Sequence, residues 1–257
     1  MKGKVAVVTG GASGIGWACV EAFAQAGACC VIADLDRAGG ECAEAKLREA
    51  GSPGLFVKTS VSDPGDVRHL FDATIESFGR LDILINNAGL QHVASIAEFP
   101  EERWNTLIGV MLTGAFLCCK YSVPHMIRQK WGRIVNISSV YGRVAVPYKG
   151  AYVTAKHALL GLTKVVALEN AEHGITSNAV CPAYVRTPMI EQQIVNQARI
   201  FGMTQEDVLS KIMLEPAAIK RLLEPAEVAS LVRYLCTDKA AGITGAVLDI
   251  DAGWTAR

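Results

Sequence analysis

The stretch Val5-Ala-Val-Val-Thr-Gly-Gly-Ala-Ser-Gly-Ile-Gly16 passes from a run of buried-type residues into a glycine-rich turn. The run predicts a buried β-strand, and the residues after the turn predict a helix over Gly14–Ala26. Gly10, Gly14 and Gly16 allow a ligand to approach the backbone closely, and the N-terminus of a helix offers free N–H groups and the positive end of its dipole. In this context the stretch predicts a site for the pyrophosphate of a dinucleotide. A turn that is rich in glycine only for tight packing is the alternative.

The second predicted strand, Cys29–Asp34, ends in an acidic residue. A carboxylate at this place accepts hydrogen bonds from both ribose hydroxyls of NAD and repels the 2′-phosphate of NADP. Arg37 follows closely and is a candidate to reach such a phosphate, but the carboxylate favours NAD as the cofactor.

Short apolar runs alternate with longer amphipathic stretches along the rest of the chain. This alternation predicts an α/β fold, a doubly wound (Rossmann) parallel sheet of seven strands, with ligands at the carboxyl ends of the strands. No linker-like stretch divides the chain, so residues 1–257 are predicted to form one domain. The remaining predicted helices are Arg37–Ala50, Pro64–Phe78, Pro100–Lys130, Tyr152–His173 and Pro225–Cys236, and the remaining predicted strands are Leu55–Lys58, Ile83–Asn86, Gly132–Ile137, Thr176–Cys181 and Ala246–Ile250.

The segment 186–224, here called the lid segment, departs from this alternation. It carries two amphipathic helical pieces, Met189–Phe201 and Thr204–Met213, at the carboxyl edge of the predicted sheet. An insertion there is well placed to cover a bound substrate. A surface excursion used for subunit packing is the alternative.

The composition narrows the choice of partner. The formal net charge is zero, which argues against nucleic acid or an acidic membrane as a partner. No apolar run of the sequence reaches the roughly 18 residues typical of a membrane span, and no cleavable apolar segment opens the chain, so a cytoplasmic protein is expected. The eight cysteines and five histidines have no metal-ligand spacing, so we expect no metal and interpret the thiols as core residues.

Tyr152 and Lys156 are four residues apart on one predicted helix, so their side chains share a face. A free tyrosine, with a pKa near 10, holds its proton too tightly for exchange at neutral pH, and a nearby ammonium is expected to lower that pKa. Ser139, just after the strand Gly132–Ile137, is a candidate hydrogen-bond donor to a substrate oxygen. The three residues predict an interconversion of alcohol and ketone. The alternative for the tyrosine and lysine is a solvated pair on a helix surface.

Together, T-G-x-x-x-G-x-G, Asn86-Asn-Ala-Gly89, the strand with its serine, Y-x-x-x-K and Pro182-x-x-x-x-Thr187 resemble the classical short-chain dehydrogenase/reductase family. The resemblance covers essentially the whole chain. It implies that Tyr152 exchanges the proton, that Ser139 steadies the substrate oxygen, that Lys156 also holds the nicotinamide ribose, and that the protein is a homotetramer formed through its two longest helices. It further implies that Thr187 holds the carboxamide and that the nucleotide contacts Gly10, Ser13, Gly14, Ile15, Gly16, Asp34, Val61, Asn87, Ala88, Gly89, Tyr152, Lys156, Pro182, Val185 and Thr187.

Within that family the chain is similar to the bacterial D-3-hydroxybutyrate dehydrogenases, a likeness that extends to Gly253-Trp-Thr-Ala-Arg257. It implies a carboxylate clamp made of Gln91, Lys149 and Gln193, and one cation with two amide donors suits a small carboxylate. It also implies that Trp254 lies near the substrate, from the same or a neighbouring subunit. The alternative for the lysine and the glutamines is an ordinary surface position. Another small or longer 3-hydroxy acid, a secondary alcohol, or a silent NAD-binding scaffold remain alternative functions.

Four positions depart from the family pattern. Met111 stands where the family usually has an asparagine that holds a water beside the lysine, and a methionine cannot hydrogen-bond comparably. Ser60-Val61 replaces the usual aspartate near the adenine, so only a backbone contact carries over. Ala183 replaces the usual glycine. Tyr141, also implied to line the substrate site, stands where the hydroxybutyrate enzymes tend to carry histidine.

Overall fold

The computed structural model of the protein describes residues 1–256. Its seven strands form one sheet in the order β3-β2-β1-β4-β5-β6-β7, and every neighbouring pair is parallel. This confirms the predicted fold class. The strands are β1 Val5–Thr9, β2 Cys29–Asp34, β3 Gly54–Lys58, β4 Ile83–Asn86, β5 Gly132–Ile137, β6 Ile175–Pro182 and β7 Val247–Ile250.

Helices cover both faces of the sheet, which is why the strands are apolar throughout. One buried cluster joins the sheet to α1, α2 and α9, and a second joins it to α3, α5 and α6. Successive residues of β1 divide between the clusters, Ala6 and Val8 on one face and Val5 and Val7 on the other, as the period of two in a strand requires. The helices are α1 Gly14–Gln25, α2 Arg37–Glu49, α3 Pro64–Phe78, α4 Glu101–Ile108, α5 Gly114–Gln129, α6 Gly150–Asn170, α7 Pro188–Phe201, α8 Gln205–Val208 and α9 Pro225–Leu235.

The long helix predicted over Pro100–Lys130 is one helical stretch with an irregularity that the sequence did not predict. A π-helical turn, Gly109–Thr113, joins α4 to α5. By length and composition alone, this stretch of the described residues is long and apolar enough to cross a membrane. It nevertheless packs on β4, β5, α3 and α6, as a core helix does. A core helix can have the same length and apolar composition as a helix that spans a membrane.

The two helical pieces predicted in the lid segment are present as α7 and as α8 followed by a π-helical turn, Leu209–Met213. They enclose a separate small apolar cluster that includes Ile194, Val208 and Met213. The two ends of the segment meet, since Val185 and Leu223 form a parallel bridge and the Arg186 N–H donates to the Leu223 carbonyl at 2.8 Å.

The prediction that the cysteines are core residues is wrong for Cys42, whereas Cys29 is partly buried and packs against the second cluster. The other six are buried, and Cys42, on α2, is exposed. Cys42 lies on the face of α2 that points away from the sheet, where packing places no demand on the side chain.

Candidate active site

A cavity of about 490 Å³ opens at the carboxyl edge of the sheet, between the glycine-rich turn and the lid segment. All but two of the residues predicted to bind cofactor or substrate line it, and the exceptions are Gly16 and Trp254. The predicted residues that do line it are Gly10, Ser13, Gly14, Ile15, Asp34, Val61, Asn87, Ala88, Gly89, Gln91, Ser139, Tyr141, Lys149, Tyr152, Lys156, Pro182, Val185, Thr187 and Gln193.

The glycine-rich turn has the shape of a phosphate cradle. Gly10 and Gly14 have positive φ angles, +62° and +55°, which favour glycine. Gly16 lies behind the cavity wall, where a Cβ would collide with the carbonyl oxygen of Gly10, so this glycine is needed for the close approach of α1 to β1. Ser13 precedes α1 without capping it through its side chain. The first N–H groups of the helix therefore remain for a bound anion.

Asp34 is held in place at the end of β2. Its Oδ2 accepts from the Ala12 N–H and its Oδ1 from the Asp36 N–H, both at 3.1 Å. These bonds orient the carboxylate at the cavity wall and leave it lone pairs for the hydroxyls of a ribose. The residues present therefore fit the adenosine half of a nicotinamide dinucleotide.

Ser139, Tyr152 and Lys156 lie together where β5 and α6 meet. The Ser139 Oγ accepts from the Tyr141 N–H at 3.1 Å, which leaves its own O–H free to donate. The Lys156 Nζ lies 5.6 Å from the centre of the Tyr152 ring and donates to the Ile137 carbonyl at 2.7 Å. Ser138 ties β5 to α6, since its Oγ donates to the Lys156 carbonyl at 2.9 Å.

The predicted effect of Lys156 on Tyr152 is wrong for the protein by itself. The pKa of Tyr152 is raised, because burial disfavours the phenolate more than the hydrogen bond with Ser139 favours it. Burial also lowers the pKa of Lys156 to about 8.

The residues predicted to form a carboxylate clamp are buried or half-buried and line the cavity. Lys149 is 6 % exposed, and burial lowers its pKa to about 8. Its Nζ lies 5.0 Å from the centre of the Tyr141 ring, and no carboxylate pairs with it among residues 1–256. Both polar atoms of the Gln193 amide are buried and have no hydrogen-bond partner in the described part of the chain. Gln91 is half-buried on the same cavity.

Tyr184 is a residue of the site that the sequence did not reveal. It lines the cavity, its hydroxyl lies 3.1 Å from that of Tyr141, and its ring centre lies 5.6 Å from the Lys149 Nζ. Its position between Pro182 and Thr187, directly after β6, was the available signal, because side chains that follow a strand reach the carboxyl edge of the sheet.

Trp254 belongs to the site indirectly. Its ring lies edge-on to those of Tyr141 and Tyr184, with centres 5.9 and 5.8 Å away, and so supports the two tyrosines from behind. These contacts are made within one chain and require no neighbouring subunit. Arg257, the last residue of the motif that includes Trp254, lies outside the described residues.

The charged groups around the cavity do not form a metal centre. Within residues 1–256 no group of three or more His, Cys, Asp or Glu side chains could hold a metal ion.

Comparison with known proteins agrees with this geometry. The family model described as enoyl-(acyl carrier protein) reductase matches residues 10–255, and the chain belongs to the short-chain dehydrogenase/reductase family of oxidoreductases. The D-beta-hydroxybutyrate dehydrogenase of Rhizobium meliloti is 44% identical over 99% of both chains, and that of Cupriavidus necator is 38% identical over 100% of both. The uncharacterized oxidoreductase YxjF of Bacillus subtilis is 42% identical, also over 100% of both. Further relatives of similar identity are named for other substrates.

Proposed function

We propose that the protein oxidises D-3-hydroxybutyrate to acetoacetate with NAD, in a reversible hydride transfer. The observation that carries this proposal is a buried ammonium, that of Lys149, which has no carboxylate partner in residues 1–256 and shares one cavity with Ser139, Tyr152 and Lys156. A buried charge without a partner is costly and is explained by a ligand of opposite charge. The amide of Gln193, which lacks a hydrogen-bond partner in the same described range, supports the same reading.

NAD is proposed as the cofactor, and residues 1–257 as one catalytic domain that binds it. Asp34 supports NAD over NADP, since its carboxylate is fixed by two backbone N–H groups at the cavity wall. The positive-φ glycines and the uncapped start of α1 would hold the pyrophosphate, Lys156 the nicotinamide ribose and Thr187 the carboxamide. When bound, the oxidised nicotinamide would supply a hydride acceptor and a positive charge beside the substrate.

The side chains of the protein act on the hydroxyl of the substrate. Ser139 donates a hydrogen bond to its oxygen, and Tyr152 takes its proton as the carbonyl forms. The ammonium of Lys156 favours the phenolate of Tyr152 and is itself held by the Ile137 carbonyl. In the reverse direction Tyr152 returns the proton.

The size of the substrate follows from the aromatic wall of the cavity. Tyr141 and Tyr184, supported by Trp254, close the space around Lys149. We infer that a short carboxylate fills this space, and that Gln91 and Gln193 donate to it. The D configuration rests on the names of the two hydroxybutyrate relatives.

The assembly is proposed to be a homotetramer in the cytoplasm, with a small hydroxy or keto acid as its partner and neither nucleic acid nor membrane. Exposed apolar side chains on the long helices support the assembly, namely Phe116 on α5 and Val165 and Leu168 on α6. The zero net charge supports a small-molecule partner. Sedimentation velocity measures the mass directly.

One assay tests the function. The purified protein is given NAD or NADP with D- and L-3-hydroxybutyrate, longer 3-hydroxy acids and simple secondary alcohols, and the absorbance of the reduced nicotinamide is followed. Selective turnover of D-3-hydroxybutyrate with NAD is expected. Faster turnover of longer acids or neutral alcohols would contradict the substrate, and tight NAD binding without turnover of any of them would indicate a scaffold.

A further inference from the structure

A second and much smaller cavity lies on the other side of Lys156, between β4, β5 and the π-helical turn. The volume open to the centre of a water molecule is about 10 Å³, so the cavity has room for about one water. Its lining is largely apolar and includes Met111. The polar members are Asn86, Lys156 and Thr9. The Thr9 hydroxyl is already occupied, since it donates to the Ile85 carbonyl and accepts from two backbone N–H groups.

Asn86 lines this cavity, and its side-chain oxygen is a buried acceptor without a donor. The residue is 6 % exposed, and its Nδ2 donates to the Asn136 Oδ1 at 2.8 Å. Asn136 in turn donates to Thr163, and the Thr163 hydroxyl donates to the Leu159 carbonyl. The direction of this chain leaves the Asn86 Oδ1 as an acceptor that has no partner within residues 1–256. A buried oxygen left in that state destabilises the fold.

Lys156 brings a donor to the same cavity. Its ammonium is buried and carries three N–H groups, of which one donates to the Ile137 carbonyl. In the proposed function, the nicotinamide ribose would accept from a second N–H group, on the side of the large cavity. The third has no acceptor in the described part of the chain, and the thioether of Met111 is a weak one.

We infer that Asn86 holds a buried water molecule in the small cavity, which accepts a hydrogen bond from Lys156 and donates one to the Asn86 Oδ1. A water in this place satisfies both groups with the hydrogen bonds that each lacks. Asn86 is then a positioning residue that acts on the reaction through Lys156. The effect on catalysis rests on the proposed function, whereas the water itself does not.

The water stabilises the charged form of Lys156 and so opposes the desolvation of that group. The other titratable groups beside the ammonium are Tyr152, on the same helix, and Cys181, on β6. Neither is a carboxylate, so the loss of the water is expected to favour the neutral amine.

The first test is independent of substrate and cofactor. A crystal structure of the wild-type protein without added nucleotide, at a resolution that orders buried waters, is expected to contain a water within hydrogen-bond distance of both the Asn86 Oδ1 and the Lys156 Nζ. A dry cavity, or a water bonded to only one of the two atoms, overturns the inference even if the enzyme oxidises hydroxybutyrate.

The second test compares Asn86→Leu with Thr163→Val in the NAD-dependent assay. Both substitutions break the same chain of hydrogen bonds and should lower the melting temperature, but only the first removes the acceptor from the cavity. The alkaline limb of the pH profile of kcat, measured at saturating substrate so that Lys149 does not set it, is expected to move down by about 0.5–1 pH unit in Asn86→Leu. It should stay in place in Thr163→Val, and return to or above its wild-type position in Asn86→Asp, which keeps an acceptor oxygen. An unmoved limb in a folded Asn86→Leu variant contradicts the role of Asn86.

Discussion

The hydroxyl oxygens of Tyr141 and Tyr184 lie 3.1 Å apart, and both rings lie within 6 Å of the ammonium of Lys149. Each phenol has one O–H, and the bond between them uses one of the two. The pair can therefore offer one donor to a carboxylate that approaches Lys149. We propose that this donor takes the place of the histidine that the hydroxybutyrate enzymes tend to carry at the position of Tyr141.

Removal of one hydroxyl tests this pair. In Tyr141→Phe we expect KM for D-3-hydroxybutyrate to rise about tenfold, since the Tyr184 hydroxyl loses the partner that fixes the direction of its own O–H toward a charged group, with a change in kcat below about threefold. Steady-state kinetics measure both constants. Tyr234→Phe, on α9 and away from the cavity, is the matched control, and an unchanged KM in Tyr141→Phe would rule out this role of the pair.

The pKa of Lys149, lowered to about 8 by burial, predicts how KM depends on pH. A carboxylate binds the ammonium, which is the form present below pH 8. Above that pH the amine must first take up a proton, so KM should rise about tenfold per pH unit. Lys149→Arg stays charged and should abolish this rise, whereas Lys149→Met should raise KM at every pH. A wild-type KM that stays flat from pH 7 to 10 would mean that Lys149 does not bind the carboxylate.

The choice of nucleotide depends on Asp34. In Asp34→Ala the hydrogen bonds to the ribose are lost and the repulsion of a 2′-phosphate disappears, so we expect the ratio of kcat/KM for NAD over NADP to fall by about 100-fold or more. The assay is run with both cofactors at saturating hydroxybutyrate. Asp36→Asn is the control, because this neighbouring carboxylate caps α2 and does not line the cavity; an equal fall there would point to a general effect of charge.

The proton step depends on Tyr152. In Tyr152→Phe we expect kcat to fall by about 10²–10⁴-fold, the usual contribution of a positioned acid/base, whereas the Kd of reduced nicotinamide, followed by its fluorescence, changes little. Tyr121→Phe, outside the cavity, should keep wild-type kcat. Near-normal turnover in Tyr152→Phe contradicts the mechanism.

The strands, the helices and their order were predictable because apolar residues recur with the period of each element and glycines or prolines mark the ends. The start of α6 was misplaced by two residues. Its first turn begins at Gly150, ahead of Tyr152, and a glycine at the start of a helix carries no propensity that reveals it. The π-helical turn Gly109–Thr113 was likewise hidden, since one added residue per turn leaves the apolar pattern nearly unchanged.

The residues of the site that belong to motifs were predictable from the sequence, but their burial and its effect on their pKa values were not. The sequence places a lysine four residues after a tyrosine, yet only the folded chain shows that burial raises the pKa of Tyr152. Tyr184 escaped notice because one aromatic residue after a strand has no periodic or spacing signal. Trp254 was expected near the substrate, and the fold shows that it reaches the site through the rings of Tyr141 and Tyr184.

The bridge between Val185 and Leu223 sets the lid segment apart from the rest of the chain. The chain leaves the sheet after β6 and returns to nearly the same point, so the segment between these two residues is a single insertion whose ends are held together. Exchange of this segment for that of a relative should change the part of the cavity wall that Gln193 occupies, whereas Lys149 and the two tyrosines beside it stay in place. The covering of the cavity can therefore vary in one contiguous stretch of sequence while the glycine-rich turn and the sheet keep their structure.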